Sequence, residues 1–353
     1  MPKFKLKQSD FKMLELFSRK LLQNLPAEMA HDLSIKLLGS PVAFAISTKQ
    51  ISNPVKLLGI EFPNHIGLAA GFDKNADAVN GLSALGFGFI EVGTTTPKPQ
   101  IGNPKPRLFR LNKNQAIINR MGFNNKGVDY LVKQIEKNKP NCILGINIGK
   151  NKDTPNEKAL DDYIYCFKKV AHLADYVTIN ISSPNTVDLR QLQESKNLMK
   201  LLKALKKAQL DLEKNTNKYT PIVVKIAPDQ DIKATKEIAE NIKNSEIDGI
   251  ICTNTTIGKN NLKKEKHQHE TGGLSGKPLL SRSNEIIKAV REAVGADFPI
   301  IGVGGILTDE DAMSKITAGA NLVQVYTGFV YQGSQLIKDI NNKLIGQQKE
   351  NNT

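Results

Sequence analysis

From about residue 65 onward, short runs of apolar, β-branched residues alternate with longer stretches whose apolar positions recur every three or four. Runs at 65–69, 89–94, 143–148, 176–181, 222–226, 249–253, 299–303 and 322–326 read as strands. They are nearly continuous in apolar character, as suits strands buried on both faces. Segments such as 76–85, 161–174, 192–212, 232–243, 284–294 and 309–318 read as amphipathic helices. Eight strands with helices between them predict an α/β fold of the (β/α)8 TIM-barrel type. A doubly wound open sheet is the rival, but it would not normally need eight strands that each end in polar residues.

Two insertions decorate this pattern. Residues 107–111 and 116–120 flank Asn112-Lys113-Asn114 and predict a β-hairpin after the second strand. Residues 258–276 read as a longer hydrophilic loop after the sixth. The first 40 residues lie outside the barrel pattern. Phe11, Leu14, Phe17, Leu21, Leu22 and Leu25 form one helical stripe, and Met29, Leu33 and Leu37 form a second that ends at Gly39-Ser40-Pro41. Seven basic against four acidic residues occur there. Two short basic amphipathic helices fit a membrane surface, and they equally fit a hairpin packed on the barrel's own flank. The expected organisation is a helical extension (1–40), a barrel (41–346) and a polar tail (347–353).

Composition narrows the function classes. No run approaches the ~18 apolar residues that cross a bilayer, and charges throughout the first 25 residues do not suit a secretory signal. Cys142, Cys166 and Cys252 are too few for a four-thiolate metal or iron–sulfur site and read as buried thiols. No metal site is expected, His267 and His269 in their lysine-rich loop included. The net charge of +14 favours anionic ligands or lipid. A nucleic-acid binder would cluster its basic residues with stacking aromatics, whereas lysines here are dispersed and tryptophan is absent.

In such a barrel the active site forms at the C-terminal ends of the strands. Those ends read Ala69–Lys74, Gly93–Thr96, Asn147–Asn151, Asn180–Thr186, Lys225, Thr253–Thr255, Gly302–Ile306 and Tyr326–Gly328. Glycine-rich turns after strands seven and eight predict a phosphate-bearing ligand, because backbone N–H groups can approach an anion there. Asn119, Asn147, Asn180, Asn185 and Asn254 offer paired donors and acceptors suited to a heterocycle edge. Asp73, the main carboxylate of the rim, reads as a turn partner. Lys74 and Lys225 need anions if buried, so Lys225 is expected to face a cofactor ring and Lys74 a substrate carboxylate.

Taken together, AAGFDK (69–74), EVGTTTPKPQ (91–100), PRLFRL (106–111), INRMGFNN (118–125), GINIGKNKDTP (145–155), INISSPNT (179–186), VKIAP (224–228), TNTT (253–256), GGLSGKPL (272–279), IGVGGI (301–306) and VQVYTGF (323–329) resemble dihydroorotate dehydrogenase of the quinone-dependent, membrane-associated class. The resemblance covers nearly the whole chain. It implies oxidation of dihydroorotate to orotate in pyrimidine biosynthesis, with FMN as cofactor and a membrane quinone as acceptor. FMN contacts would come from Ala70, Gly71, Phe72, Asp73, Lys74, Thr94, Asn147, Asn180, Lys225, Thr253, Gly276, Gly305, Tyr326 and Thr327. Substrate contacts would come from Lys74, Asn119, Arg120, Met121, Gly122, Phe123, Asn180, Asn185, Asn254 and Thr255.

Ser183 would be the catalytic base, relayed through Thr186 and water and shielded by Phe123; the soluble classes resemble it with cysteine at that place. The resemblance also implies that residues 1–40, with His31, form a quinone passage from the membrane. A monomer on the cytoplasmic face of the inner membrane is expected. The alternatives are a soluble fumarate-using relative, which Ser183 and the extension disfavour, and a non-catalytic flavin-binding barrel.

Overall fold

The computed structural model describes residues 21–351 apart from 42, 44–46, 49, 187 and 261. Phe11, Leu14 and Phe17 of the first stripe lie outside the described residues. The strands in chain order are β1 (Val55–Leu57), β2 (Ile60–Phe62), β3 (Ile66–Leu68), β4 (Phe89–Thr95), β5 (Leu108–Leu111), β6 (Ala116–Asn119), β7 (Ile143–Ile148), β8 (Tyr176–Asn180), β9 (Ile222–Ile226), β10 (Gly249–Cys252), β11 (Gly273–Gly276), β12 (Ile300–Val303) and β13 (Leu322–Val325). Eight of them close a parallel barrel in the order β3-β4-β7-β8-β9-β10-β12-β13, with β13 returning to β3. These are the eight strands expected from the apolar runs, with ends displaced by a residue or so.

The barrel interior is packed rather than open. Phe89, Tyr176, Val223, Ile251, Ile301 and Leu322 fill its lower layers. The β1–β2 hairpin, which the strand pattern did not anticipate, turns at Leu58-Gly59 and brings Phe62 into this cluster, edge-on to Phe89 at 5.2 Å. Outside, the apolar faces of the helices pack on the strands to form the main core. The helix expected over 76–85 shrinks to Val79–Ser83. The Asp73 carboxylate accepts the N–H groups of Asn75, Asp77 and Ala78, and Ala76 takes a left-handed conformation (φ 60°), so a bent turn replaces the first helical turn. At the other end of the chain, helix Gln335–Asn351 continues into the stretch read as a polar tail.

The expected hairpin forms β5 and β6, and β11 adds to it antiparallel, so part of the 258–276 loop is a strand. The helix Ala27–Leu38 is tied to this sheet. Arg107 pairs with Glu28 at 2.8 Å, and Arg110 donates to the Leu22 and Leu25 carbonyls. The helix buries Ala30 and Leu38 against the protein and turns Met29, Leu33 and Leu37 outward, each 40–49% exposed. No helix among the described residues is long and apolar enough to cross a membrane.

Candidate functional site

The C-terminal strand ends open onto one cavity, and residues of β5, β6 and β11 overhang it. After β3, Lys74 extends to the cavity and donates to the Gly71 carbonyl at 2.9 Å. Burial, reinforced by the Arg107 charge, pulls its pKa down to about 8. At the end of β4 the chain needs glycine: Gly93 has φ +102°, and an added Cβ would lie 2.3 Å from the Asn147 carbonyl oxygen.

Beyond that turn the polar side chains form a directed series. Asn147 donates to the buried carboxylate of Glu91 at 2.8 Å, and the Thr94 hydroxyl donates to Asn147 at 2.6 Å. Asn180 then donates to Thr94 at 3.0 Å, and its own carbonyl accepts from Ser182 and Asn254. A carboxylate only accepts, so every amide in this series turns its donors toward Glu91. Tyr176 and Gln324 donate to the second Glu91 oxygen at 3.0 and 2.8 Å.

Ser183 is buried at the cavity wall, where its hydroxyl oxygen accepts the Asn185 N–H at 3.2 Å. Asn185 also donates to Asn119 at 3.0 Å, which joins the loop after β8 to the overhanging sheet. Arg190 holds that loop from behind. It donates to the carbonyls of Ser182 and Thr255, both at 3.0 Å, and pairs with Asp229 at 2.7 Å. Thr186 is buried without lining the cavity, and Phe123 lines it in a left-handed conformation.

Lys225 enters from β9. It is buried, and its ammonium has no hydrogen-bond partner among the described residues. Burial lowers its pKa, and the Glu91 carboxylate opposes that shift. Across the cavity Gly276, Gly304, Gly305, Tyr326, Thr327 and Gly328 form a glycine-rich end. An added Cβ on Gly305 (φ +86°) would lie 2.5 Å from the Leu280 backbone.

The profile of the dihydroorotate dehydrogenase family matches residues 53–347. This chain belongs to the dihydroorotate dehydrogenase family. Among curated relatives, the dihydroorotate dehydrogenase (quinone) of Aliivibrio salmonicida is 50% identical, over 94% of this chain and 100% of that one. Its counterpart in Saccharophagus degradans is 51% identical, over 92% and 96% respectively. Among solved structures, DHODH from Eimeria tenella in complex with ferulenol superposes with a TM-score of 0.86 at 39% identity, covering 92% of each chain. The ligand-free form from the same organism gives 0.86 at 40% identity, covering 92% and 95%.

Within this family member, most residues singled out from the sequence converge on the cavity: Ala70, Gly71, Lys74, Thr94, Asn119, Met121, Gly122, Phe123, Asn180, Ser183, Asn185, Lys225, Thr253, Asn254, Thr255, Gly276, Gly305, Tyr326 and Thr327. Besides Thr186, four of the expected FMN and substrate contacts do not line it. Asn147 lies one layer below, between Glu91 and Thr94. Asp73 is consumed by its turn, as the residue reading had it. Phe72 packs edge-on between His31 at 5.2 Å and Tyr326 at 5.6 Å. Arg120 points away, pairing with Glu270 at 2.7 Å and lying over the Phe109 ring. Sequence reasoning passed over Glu91, Gln324 and Arg190. A charge inside EVG and an amide inside VQV, both within apolar strands, were the available signals.

Proposed function

We propose that FMN occupies the barrel mouth and that dihydroorotate is oxidised beside it, with Ser183 as base. The observation that carries this reading is the convergence of Ser183, Lys74 and four asparagines on one cavity. The residues present fit the cofactor. The buried Lys225 ammonium has no hydrogen-bond partner among the described residues and suits a ring that gains negative charge. Leu108, Ile117 and Val303 give the cavity apolar wall, and its glycine-rich end suits a phosphate. FMN, when bound, takes the hydride from the substrate and passes the electrons on to quinone.

Lys74 holds the substrate carboxylate, while Asn119, Asn185, Asn254 and Thr255 hold its polar edge. Ser183 Oγ then removes the proton from C5 of dihydroorotate while its own hydroxyl proton passes on through Thr186 and water. The Asn185 N–H bonded to Oγ steadies this weak base as it acts, and Phe123 helps keep bulk water away. The product is orotate, an intermediate of pyrimidine biosynthesis, and a quinone is the electron acceptor.

The extension supplies the route to quinone. Its outward Met29, Leu33 and Leu37 rest on a membrane surface, on the cytoplasmic face, with Lys36 among them. Inward, His31, Phe72 and Tyr326 form an aromatic succession that ends at the cavity wall. Burial, with the charge of Lys74, holds the His31 pKa down to about 3, so its ring is neutral and suits an uncharged acceptor.

Anaerobic stopped-flow absorbance tests the reading: bleach the flavin with dihydroorotate, then reoxidise with a short-chain quinone or with fumarate. Bleaching followed by rapid reoxidation with quinone alone is expected. Reoxidation by fumarate would refute the acceptor, and no bleaching of a flavin-replete sample would refute the substrate.

A further inference from the structure

The helix Asp309–Thr317 buries a lysine that the chemistry above does not use. Lys315 is completely buried, and no carboxylate lies within ion-pairing distance of it among the described residues. Its ammonium donates to the Ser283 hydroxyl at 2.6 Å and to the Asn284 side-chain oxygen at 3.0 Å. Ser283 in turn shares its one hydroxyl proton between the Gly304 and Leu280 carbonyls, both at 2.9 Å, and the Lys315 stem packs beside Gly302. The cation therefore stands two hydrogen bonds behind the Gly304–Gly305 turn, and that turn lines the glycine-rich end of the cavity.

A lysine so placed costs stability unless an anion offsets its charge. Burial accordingly brings its pKa down to about 7, with Cys252 and Asp311 pulling only weakly the other way. The turn is also well braced: an added Cβ on Gly304 would lie 2.9 Å from Leu279 and 3.2 Å from Ser283. Charge and turn are thus joined by a short hydrogen-bond path behind the cavity.

We propose that Lys315 is a positioning residue for the phosphate of the ligand: in its charged form it acts through Ser283 and the Gly304–Gly305 turn without touching the ligand. The inference deepens the reading of this end of the cavity as the FMN phosphate site and rests on it. It assigns the selectivity for a phosphorylated flavin partly to a residue outside the cavity lining. In a low-dielectric interior, an uncompensated charge one turn away acts on an anion with little screening.

The test compares FMN with riboflavin, which differs only in lacking the phosphate. Full-length wild type, Lys315→Met and Lys315→Gln are reconstituted with each flavin, and dissociation constants are read by quenching of flavin fluorescence. Lys315→Gln retains a donor for Ser283 and lacks the charge, so it covers the case in which Lys315→Met does not fold. Both variants should lose about tenfold in FMN affinity with riboflavin affinity unchanged, which narrows the preference for FMN by the same factor. Equal weakening of both flavins would show that Lys315 is merely structural and would overturn the proposal, as would an unchanged preference. A wild type that binds riboflavin as tightly as FMN would instead refute the phosphate site itself. Lys315→Arg, which keeps the charge, should retain the preference.

Discussion

The most direct test of the substrate end is the pH dependence of orotate binding, because Lys74 combines burial with an assigned anion. Desolvation, followed by repulsion from Arg107, brings the Lys74 pKa down to about 8, and Glu28, Asp32 and Asp73 offset this only in part. Only the protonated lysine pairs with a carboxylate. Below pH 8 the site is ready. Above it each pH unit should weaken binding about tenfold, since a tenfold loss of the charged form is worth about 1.4 kcal/mol. From pH 7 to pH 9 the dissociation constant should therefore rise by about an order of magnitude.

Lys74→Met removes the partner outright. A charge-assisted hydrogen bond contributes about 1.5–3 kcal/mol, so affinity at pH 7 should fall about 10- to 100-fold, and the pH dependence should vanish with it. The assay titrates the oxidised full-length protein with orotate between pH 6.5 and 9 and follows the perturbation of flavin absorbance. A wild-type profile that stays flat over this range, parallel to that of Lys74→Met, would refute the carboxylate role.

Ser183→Ala should abolish bleaching of the flavin by dihydroorotate while the protein stays yellow, and unchanged bleaching in stopped-flow would remove Ser183 from the chemistry. Replacing Leu33 and Leu37 with glutamate should abolish sedimentation with anionic vesicles and slow quinone turnover, with the rate of bleaching by dihydroorotate unchanged. Deleting residues 1–40 is a poorer test, because it strips Glu28 from Arg107 and His31 from Phe72 and should impair both half-reactions. The flavin-free protein should melt at a higher temperature at pH 8.5 than at pH 7. Lys315 and Lys74, whose pKa values burial brings down to about 7 and about 8 from the ordinary lysine value of 10.5, bind fewer protons folded than unfolded, so stability rises with pH across that window. The thiols Cys142, Cys166 and Cys252, whose pKa values burial raises, act in the opposite sense as pH approaches 9 and offset this rise only in part below pH 8.5. A melting temperature independent of pH between 7 and 8.5, read by calorimetry, would show that the two lysines are not held in this way.

What could be read from the chain alone follows from where each signal originates. The barrel strands were legible because strands buried on both faces leave an almost unbroken apolar run, and their polar ends then mark the site. Strand β11 was not, because Gly273-Leu274-Ser275-Gly276 has little strand propensity and is extended by pairing with β6 on one side and Thr256 on the other. Glu91 was passed over for a related reason. The apolar run around it identifies the strand, but only barrel closure brings Asn147, Tyr176 and Gln324 from three other strands onto its carboxylate.

The extension makes the same point most sharply. Periodicity correctly put Met29, Leu33 and Leu37 on one face, and it left open whether that face meets the barrel or the outside. Helical spacing is a property of the segment, whereas the choice of face belongs to its neighbours. Here Arg107 and Arg110 reach out from the β5–β6 hairpin to Glu28, Leu22 and Leu25, and Phe72 meets His31. These contacts turn Ala30 and Leu38 inward and leave the larger apolar stripe facing out. Burying that stripe on the barrel itself would have gained hydrophobic free energy, so polar anchors that hold it outward argue for a surface whose apolar partner lies outside the described residues.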